Sequence, residues 1–340
     1  MKRAVIILSL LLISITGICA MWLWHDMQTQ LNSPLKLDTK TDFIIKPGTG
    51  LKTIANDLKT MGLMNQPYYL VFEARRQGKE GRIKAGEYEV IPGTTPLQLL
   101  DQFVASKVKQ HTLTLIEGWS FTQVMEAIRN QPVLEQTPDL ANGDAVMTTI
   151  QKPEASPEGQ FFPDTYHFPR GTSDIQFLHR AYDKMQLVLA EEWAQRSDNL
   201  PYQTPYEALI MASLIEKETG LPQERGDVAG VLVRRLEKGM RLQTDPTVIY
   251  AMGDQYEGRL LRKDLTIDSP YNTYVYAGLP PTPIALAGRE SLRAALHPMD
   301  ANTLYFVAKG DGSHHFSETL EEHNKAVAKY ILSKQNNEKK

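Results

Sequence analysis

The run from Ala4 to Trp24 carries no charged residue, and no other feature limits the fold as strongly. At roughly 1.5 Å per residue, a helix of that length covers a hydrocarbon core of about 30 Å. Lys2 and Arg3 precede the run, whereas its far flank offers His25 and Asp26 and no lysine before Lys36. The positive-inside rule therefore predicts a cytoplasmic stub at 1–3, a single transmembrane helix at 4–24 and everything later on the opposite side of the membrane. Trp22 and Trp24 fall where an aromatic belt meets the outer headgroups. A cleaved signal peptide is the rival reading, but the apolar stretch exceeds an ordinary signal core and no convincing small-residue cleavage site follows it.

The only cysteine, Cys19, lies inside this span. The exported part therefore has no internal disulfide and depends on packed cores, for which some 300 residues are ample. A formal net charge of −3 leaves no electrostatic footprint for nucleic acid, while neutral or mildly charged substrates such as glycans remain open.

Residues 25–41 are mostly polar and read as a tether. A pattern then recurs: the runs ending at Gly48, Gly93 and Gly118 each place strand-like residues before a glycine and an amphipathic helix after it. Counting from each glycine, the sixth and tenth positions hold Ile54 and Leu58, Leu99 and Phe103, and Val124 and Ile128. That spacing marks a buried helical stripe. Thr95 and Ser120 are natural N-caps, with Pro96 at a first helical position. Residues 42–130 thus form a small α+β module of strand-turn-helix units with the look of LysM-like glycan-binding modules. The competing explanation is that any strand-turn-helix needs a glycine and a cap.

Residues 131–157 are rich in Pro, Asn, Asp and Gly and read as a linker, and a larger mixed α+β domain occupies 158–332. Thr204-Pro205-Tyr206-Glu207 is a capping box that starts a helix ended by Gly220 and Pro222. Its stretch Ala208 to Ile215 is apolar nearly all round and so predicts a buried helix. Further helices are expected at 223–238, at 289–296 and around Leu320 to Ile331, with a hairpin about Gly310-Asp311-Gly312. Residues 333–340 read as a flexible polar tail.

Chemistry concentrates at Glu216-Lys217-Glu218, the end of the buried helix. Burial strips hydration from a carboxylate and raises its pKa, and the negative end of a helix dipole pushes the same way. A glutamate in that setting holds its proton near neutrality and serves as a general acid. Glu216 and Glu218 are two residues apart, so they point to roughly opposite sides and at most one lines a given cleft. The other is expected to pair with Lys217 or Arg225, or to cap a loop. A plainer alternative is that both solubilise a fraying helix end.

No metal or cofactor site is expected, because the histidines are scattered and no H-E-x-x-H, G-x-S-x-G or P-loop occurs. Gln243-Thr244-Asp245-Pro246-Thr247 is a helix start with Asp245 as its cap. Tyr271-Asn272-Thr273-Tyr274, followed by Gly278-Leu279-Pro280-Pro281, has the aromatic and amide composition that stacks on sugars or serves as a structural cover.

Five segments taken in order, namely Glu158-Gly159 with Phe162-Pro163-Asp164-Thr165-Tyr166, Ala212 to Glu218, Leu242 to Tyr250, Tyr271 to Tyr274 and Gly278 to Pro281, closely resemble the endolytic murein transglycosylases, the YceG-like family. The resemblance spans nearly the whole chain. It implies a lyase of the bacterial inner membrane, with a periplasmic catalytic domain cutting the β-1,4 bond between N-acetylmuramic acid and N-acetylglucosamine inside peptidoglycan. The muramic C6 hydroxyl is the nucleophile, leaving 1,6-anhydro ends. It also implies that Glu218, not Glu216, is catalytic, a choice that sequence physics leaves open. Glu216, Gln243, Asp245, Tyr250, Asn272 and Tyr274 are the expected substrate-groove residues, and peptidoglycan synthases (penicillin-binding proteins) the expected partners. Two alternatives stay open: a muramidase-type hydrolase, with Asp245 as second carboxylate, and a non-catalytic cell-wall-binding scaffold.

Overall fold

A computed structural model of the chain describes residues 2–138, 140 and 142–332. Two compact units emerge, one built from 1–111 with 167–171 and the other from 112–166 with 172–340.

In the first unit, α1 (Lys2–Asn32) contains the apolar run and is long and apolar enough to cross a membrane. It continues well past Trp24, so the tether expected at 25–41 is helical over its first half. Met27 and Leu31, four residues apart on an otherwise polar stretch, are buried in the core of this unit. Tyr69 donates to the Asp26 carboxylate at 2.6 Å and fixes the same stretch. The average polarity of 25–41 concealed that two-residue stripe.

There follow β1 (Thr41–Ile45), α2 (Leu51–Thr60), α3 (Pro67–Arg76), β2 (Gly86–Val90), α4 (Pro96–Val104) and β3 (Gln110–Thr114). Strands β1 and β2 pair antiparallel with Phe43 opposite Tyr88. Alternation along β1 turns Phe43 and Ile45 inward. They meet Ile54 and Leu58 of α2 and Leu99 and Phe103 of α4, all fully or nearly fully buried. The Phe103 ring lies 5.7 Å from that of Phe43 and 4.7 Å, edge-on, from that of Tyr88. Thr95 caps α4 in a complete capping box with Gln98.

Glu87 is a buried carboxylate among bases. It accepts from Arg170 at 2.9 Å and meets His111 at 2.6 Å. Burial pushes its pKa up, but Arg170 and His111 together more than offset this and hold it below the usual carboxylate value.

The second unit contains α5 (Phe121–Arg129), α6 (Gly143–Thr149), β4 (Thr165–Pro169), α7 (Asp174–Ala194), α8 (Pro205–Glu218), α9 (Arg225–Glu237), α10 (Asp245–Met252), α11 (Arg289–Leu296), β5 (Tyr305–Ala308), β6 (His314–Ser317) and α12 (Leu320–Val327). The third strand-turn-helix copy departs from the other two. Its strand β3 pairs with β4, not with β1 or β2, and the division between units runs through both strands. Residues 42–130 are thus divided between the two units. The segment read as a linker at 131–157 also holds a helix, α6, capped by Asn142 and burying Val146 and Met147. Seven residues are too few to register a helical period in sequence.

Helix α8 is the centre of this unit. Every residue from Ala208 to Ile215 is buried, and α7, α9, α10 and α11 all contact the helix. Thr204 and Glu207 form the expected capping box at its start. The one polar side chain in the buried stretch, Ser213, donates to Ile210 O and accepts from Ile284 N–H, so no polar atom is stranded. The hairpin β5–β6 pairs Phe306 with Phe316. The tail at 333–340 lies outside the described residues.

Candidate active site

Helix α8 ends at Glu218 with Thr219 in extended conformation, so Glu216 and Glu218 leave its last turn in different directions, and their surroundings differ accordingly. Glu216 accepts from Gly288 N–H at 2.9 Å and lies 3.5 Å from Arg225, both side chains being largely buried. Arg225 also lies 3.9 Å from Glu117, whose pKa is raised by burial first and by the charge of Glu216 second. Gly288 is closely approached: a Cβ there would sit 1.9 Å from Glu117 Oε1, so the flexible Glu117 side chain would have to move. Glu216 is thus the carboxylate that pairs with Arg225. It fastens α8 to α9 and to the start of α11.

Glu218 has no hydrogen bond or ion pair among the described residues. Protein crowds it although part of its side chain still reaches solvent. Burial, and then the negative charge of Asp245, push its pKa up to about 8. A carboxyl so placed is protonated at neutral pH and has a proton to give.

Asp245 was expected to cap α10. Instead Thr244 is the cap residue and makes no side-chain capping bond. Its hydroxyl turns inward to a buried cluster in which Thr273 meets Thr244 at 3.4 Å and Thr247 at 2.8 Å. Asp245 is the first helical residue, exposed, and its carboxylate accepts the Tyr274 hydroxyl at 2.6 Å. Burial, that bond and the charges of Asp245 and Glu218 all raise the Tyr274 pKa, so the phenol remains a donor. Glu218, Asp245 and Tyr274 therefore lie within electrostatic reach of one another.

Gln243, on the same turn, is exposed with φ +55°. A left-handed backbone costs an ordinary residue about 1–2 kcal/mol, and such strain collects at functional sites. The buried Arg235 holds the turn. Its guanidinium donates to Leu242 O at 3.0 Å, to Gln243 Oε1 at 3.2 Å and to Leu304 O at 2.6 Å.

Besides Glu216, two more of the expected groove residues are engaged by other partners. Asn272 is fully buried, its amide donating to Leu265 O and Ile267 O and its oxygen accepting from Tyr274 N–H. Every polar atom is occupied in shaping the loop that carries Tyr274, so Asn272 does not line a groove. Tyr250 belongs to a separate constellation. Its hydroxyl donates to Glu158 at 3.2 Å and its ring lies 4.9 Å from that of Tyr271.

Glu158 itself is assigned no role by the sequence. It is 6 % exposed, accepts from Phe121 N–H at 2.9 Å, and is pushed up to about 7 by burial, against the opposing effect of those two hydrogen bonds. The neighbouring Gly159, at φ +73°, is forced: a Cβ there would lie 2.4 Å from Pro283. The only sequence signal for Glu158 was a Glu-Gly pair beside an aromatic-proline segment.

A family model described as the YceG-like family matches residues 43–329. The chain is 35% identical over 327 residues to an endolytic murein transglycosylase of Bacillus subtilis (strain 168), with 89% of each chain covered. It is 26% identical over 326 residues to a protein of the same name from Streptococcus pneumoniae serotype 2, covering 86% of this chain and 58% of that longer one. The crystal structure of a yceG-like protein from Listeria monocytogenes matches with a TM-score of 0.55 at 31% identity, over 85% of this chain and 99% of that one.

Proposed function

Because the chain belongs to the YceG-like family, we propose that it is a membrane-anchored endolytic murein transglycosylase with Glu218 as its single acid and base. The observation that carries this reading is the unpaired Glu218 at the end of a buried helix, where burial and then the charge of Asp245 push its pKa up to about 8.

Glu218 gives its proton to the glycosidic oxygen as the bond from the muramic C1 breaks, and N-acetylglucosamine leaves with a free hydroxyl. The carboxylate so formed then takes the proton of the muramic C6 hydroxyl as O6 bonds to C1. One proton leaves Glu218 and one returns, no water is consumed, and the new end is a 1,6-anhydro sugar. Asp245 acts here through its charge, which adds to the larger effect of burial in keeping Glu218 protonated. Tyr274 holds Asp245 in place, and the strained Gln243 presents its amide beside them. The helix α1 fixes the protein in the inner membrane with its N-terminus in the cytoplasm. Strand-turn-helix units of the first unit contact glycan in the manner of LysM modules, and the enzyme trims nascent strands beside the polymerases that extrude them.

A second reading is favoured by the proximity of Asp245 to Glu218: a hydrolase in which two carboxyl groups share the work. Mass spectrometry of purified glycan strands digested by the full chain in detergent separates the two. Ends lighter by one water than hydrolytic ends are expected, and Glu218→Gln should lower the rate by about 10²- to 10⁴-fold, the usual worth of a general acid-base. Reducing ends would establish the hydrolase, and undiminished activity in the variant would remove Glu218 from the mechanism.

A further inference from the structure

Helix α3 buries Leu70 and Ala74 against the core of the first unit. Its opposite face is uncovered. Tyr68 and Phe72, four residues apart and hence side by side, are 57% and 54% exposed. Beside them on α1 stand Leu23 and Trp24, themselves about half exposed. With Met27 these side chains line an apolar groove of about 470 Å³. A contiguous apolar and aromatic patch of this kind is a docking surface or an aggregation liability.

Its position identifies the occupant. The apolar run of α1 reaches roughly 31 Å by Trp24 at 1.5 Å per residue, matching a hydrocarbon core of about 30 Å. Trp24 therefore marks the outer boundary of the bilayer. Helix α1 passes that boundary unbroken and enters the core of the unit through Met27 and Leu31. Helix α3 is fastened to α1 at the same level, by the Tyr69 to Asp26 bond and by the Arg76 guanidinium 5.6 Å from the Trp24 ring centroid. The open groove is thus continuous with the lipid-facing surface of the span. Aromatic rings on an apolar face, with Arg75 and Arg76 closing the helix, are what the acyl-headgroup boundary accommodates.

We propose that lipid of the outer leaflet fills the groove between α1 and α3, and that α3 lies in the membrane interface with Tyr68 and Phe72 bedded among the acyl chains. This rests on the reading of α1 as a membrane span. The span then acts with a lateral foot, and the first unit is held flat on the bilayer in one orientation.

The test uses the full chain in lipid nanodiscs, with Cys19→Ser removing the native thiol. A polarity-sensitive fluorophore is attached in turn at Ile13→Cys, Phe72→Cys and Asn32→Cys, and its quenching by nitroxide lipids of known depth is measured. Ile13 lies mid-span, whereas Asn32 lies eight residues, or about 12 Å along the helix, beyond Trp24. The expected pattern is deep quenching at Ile13, and shallow-lipid quenching at Phe72 several-fold stronger than at Asn32, with blue-shifted emission. Quenching at Ile13 with Phe72 no stronger than Asn32 overturns the proposal while leaving the span intact. The groove would then be open to water in lipid alone, as expected if a partner's transmembrane helix were its true occupant. An unquenched Ile13 removes the span, and the foot with it.

Discussion

Glu87 in the first unit and Glu218 in the second are carboxyl groups that the protein crowds, yet their pKa values move in opposite directions. Glu87 is 3% exposed in its side chain and surrounded by Arg170, His111 and Lys109. Burial raises its pKa, but the basic partners bring it below the ordinary value of 4.5. Glu218 has burial and the like charge of Asp245 and nothing opposing them, so it rises to about 8. Burial pushes both upward, and the direction of the outcome turns on whether basic partners oppose it. One carboxylate is arranged to stay charged and join strands, the other to keep a proton available. Glu216, two residues from Glu218, is supplied with partners as Glu87 is, namely Arg225 and the Gly288 N–H.

The contrast breaks most visibly if the partnered carboxylates are removed. Glu216→Ala leaves the largely buried Arg225 without its nearest acid and Gly288 N–H without an acceptor. It should cost about 1–3 kcal/mol in denaturant unfolding. A variant as stable as the wild type would show that Glu216 is not a fastening group.

The next effect is on pH dependence. The depressed pKa of Glu87 means that its stabilisation is complete above the ordinary value of 4.5 and is lost as pH falls through its folded value. The raised pKa of Glu218 works the other way, with stability complete below 4.5 and withdrawn as pH climbs toward 8. Thermal melts should therefore show Glu87→Gln less stable at neutral pH by about 1 kcal/mol and less sensitive to acid than the wild type. A neutral-pH melt unchanged by Glu87→Gln would show that its basic partners contribute nothing.

The smallest effect concerns Asp245. Asp245→Asn removes the like charge beside Glu218, so the basic limb of kcat/KM against pH should move to lower pH. The shift should be less than about one unit, as suits one solvent-exposed charge. A limb that stays in place would mean that burial alone sets the Glu218 pKa.

Much of this was legible in the sequence, because local signals and tertiary outcome agree there. Thr204, Thr95 and Ser120 cap the helices expected of them, and α11 spans the segment anticipated from Arg289 to Leu296. The apolar stretch Ala208 to Ile215 is buried on all sides. What escaped is decided by distant partners. Met27 and Leu31 are two apolar residues in a polar stretch, and only the core they enter makes them structural. The third strand resembles the first two locally, yet its partner β4 lies some 50 residues further on. Asn272 has the composition of a sugar ligand, but Leu265 O and Ile267 O use its amide. Glu158 needed Phe121 and Tyr250, both distant in sequence, to become a buried carboxyl. Which of Glu216 and Glu218 pairs with Arg225 was likewise not legible, since Gly288 and Arg225 come from other elements.

The central claim is that Glu218 holds a proton at neutral pH. Carboxyl-labelled glutamate can be followed by carbon-13 NMR as pH is raised, with the resonance absent from Glu218→Gln assigned to Glu218. The account predicts a titration midpoint near 8. A midpoint near the ordinary glutamate value of 4.5 would leave Glu218 charged under working conditions and contradict its role as the acid.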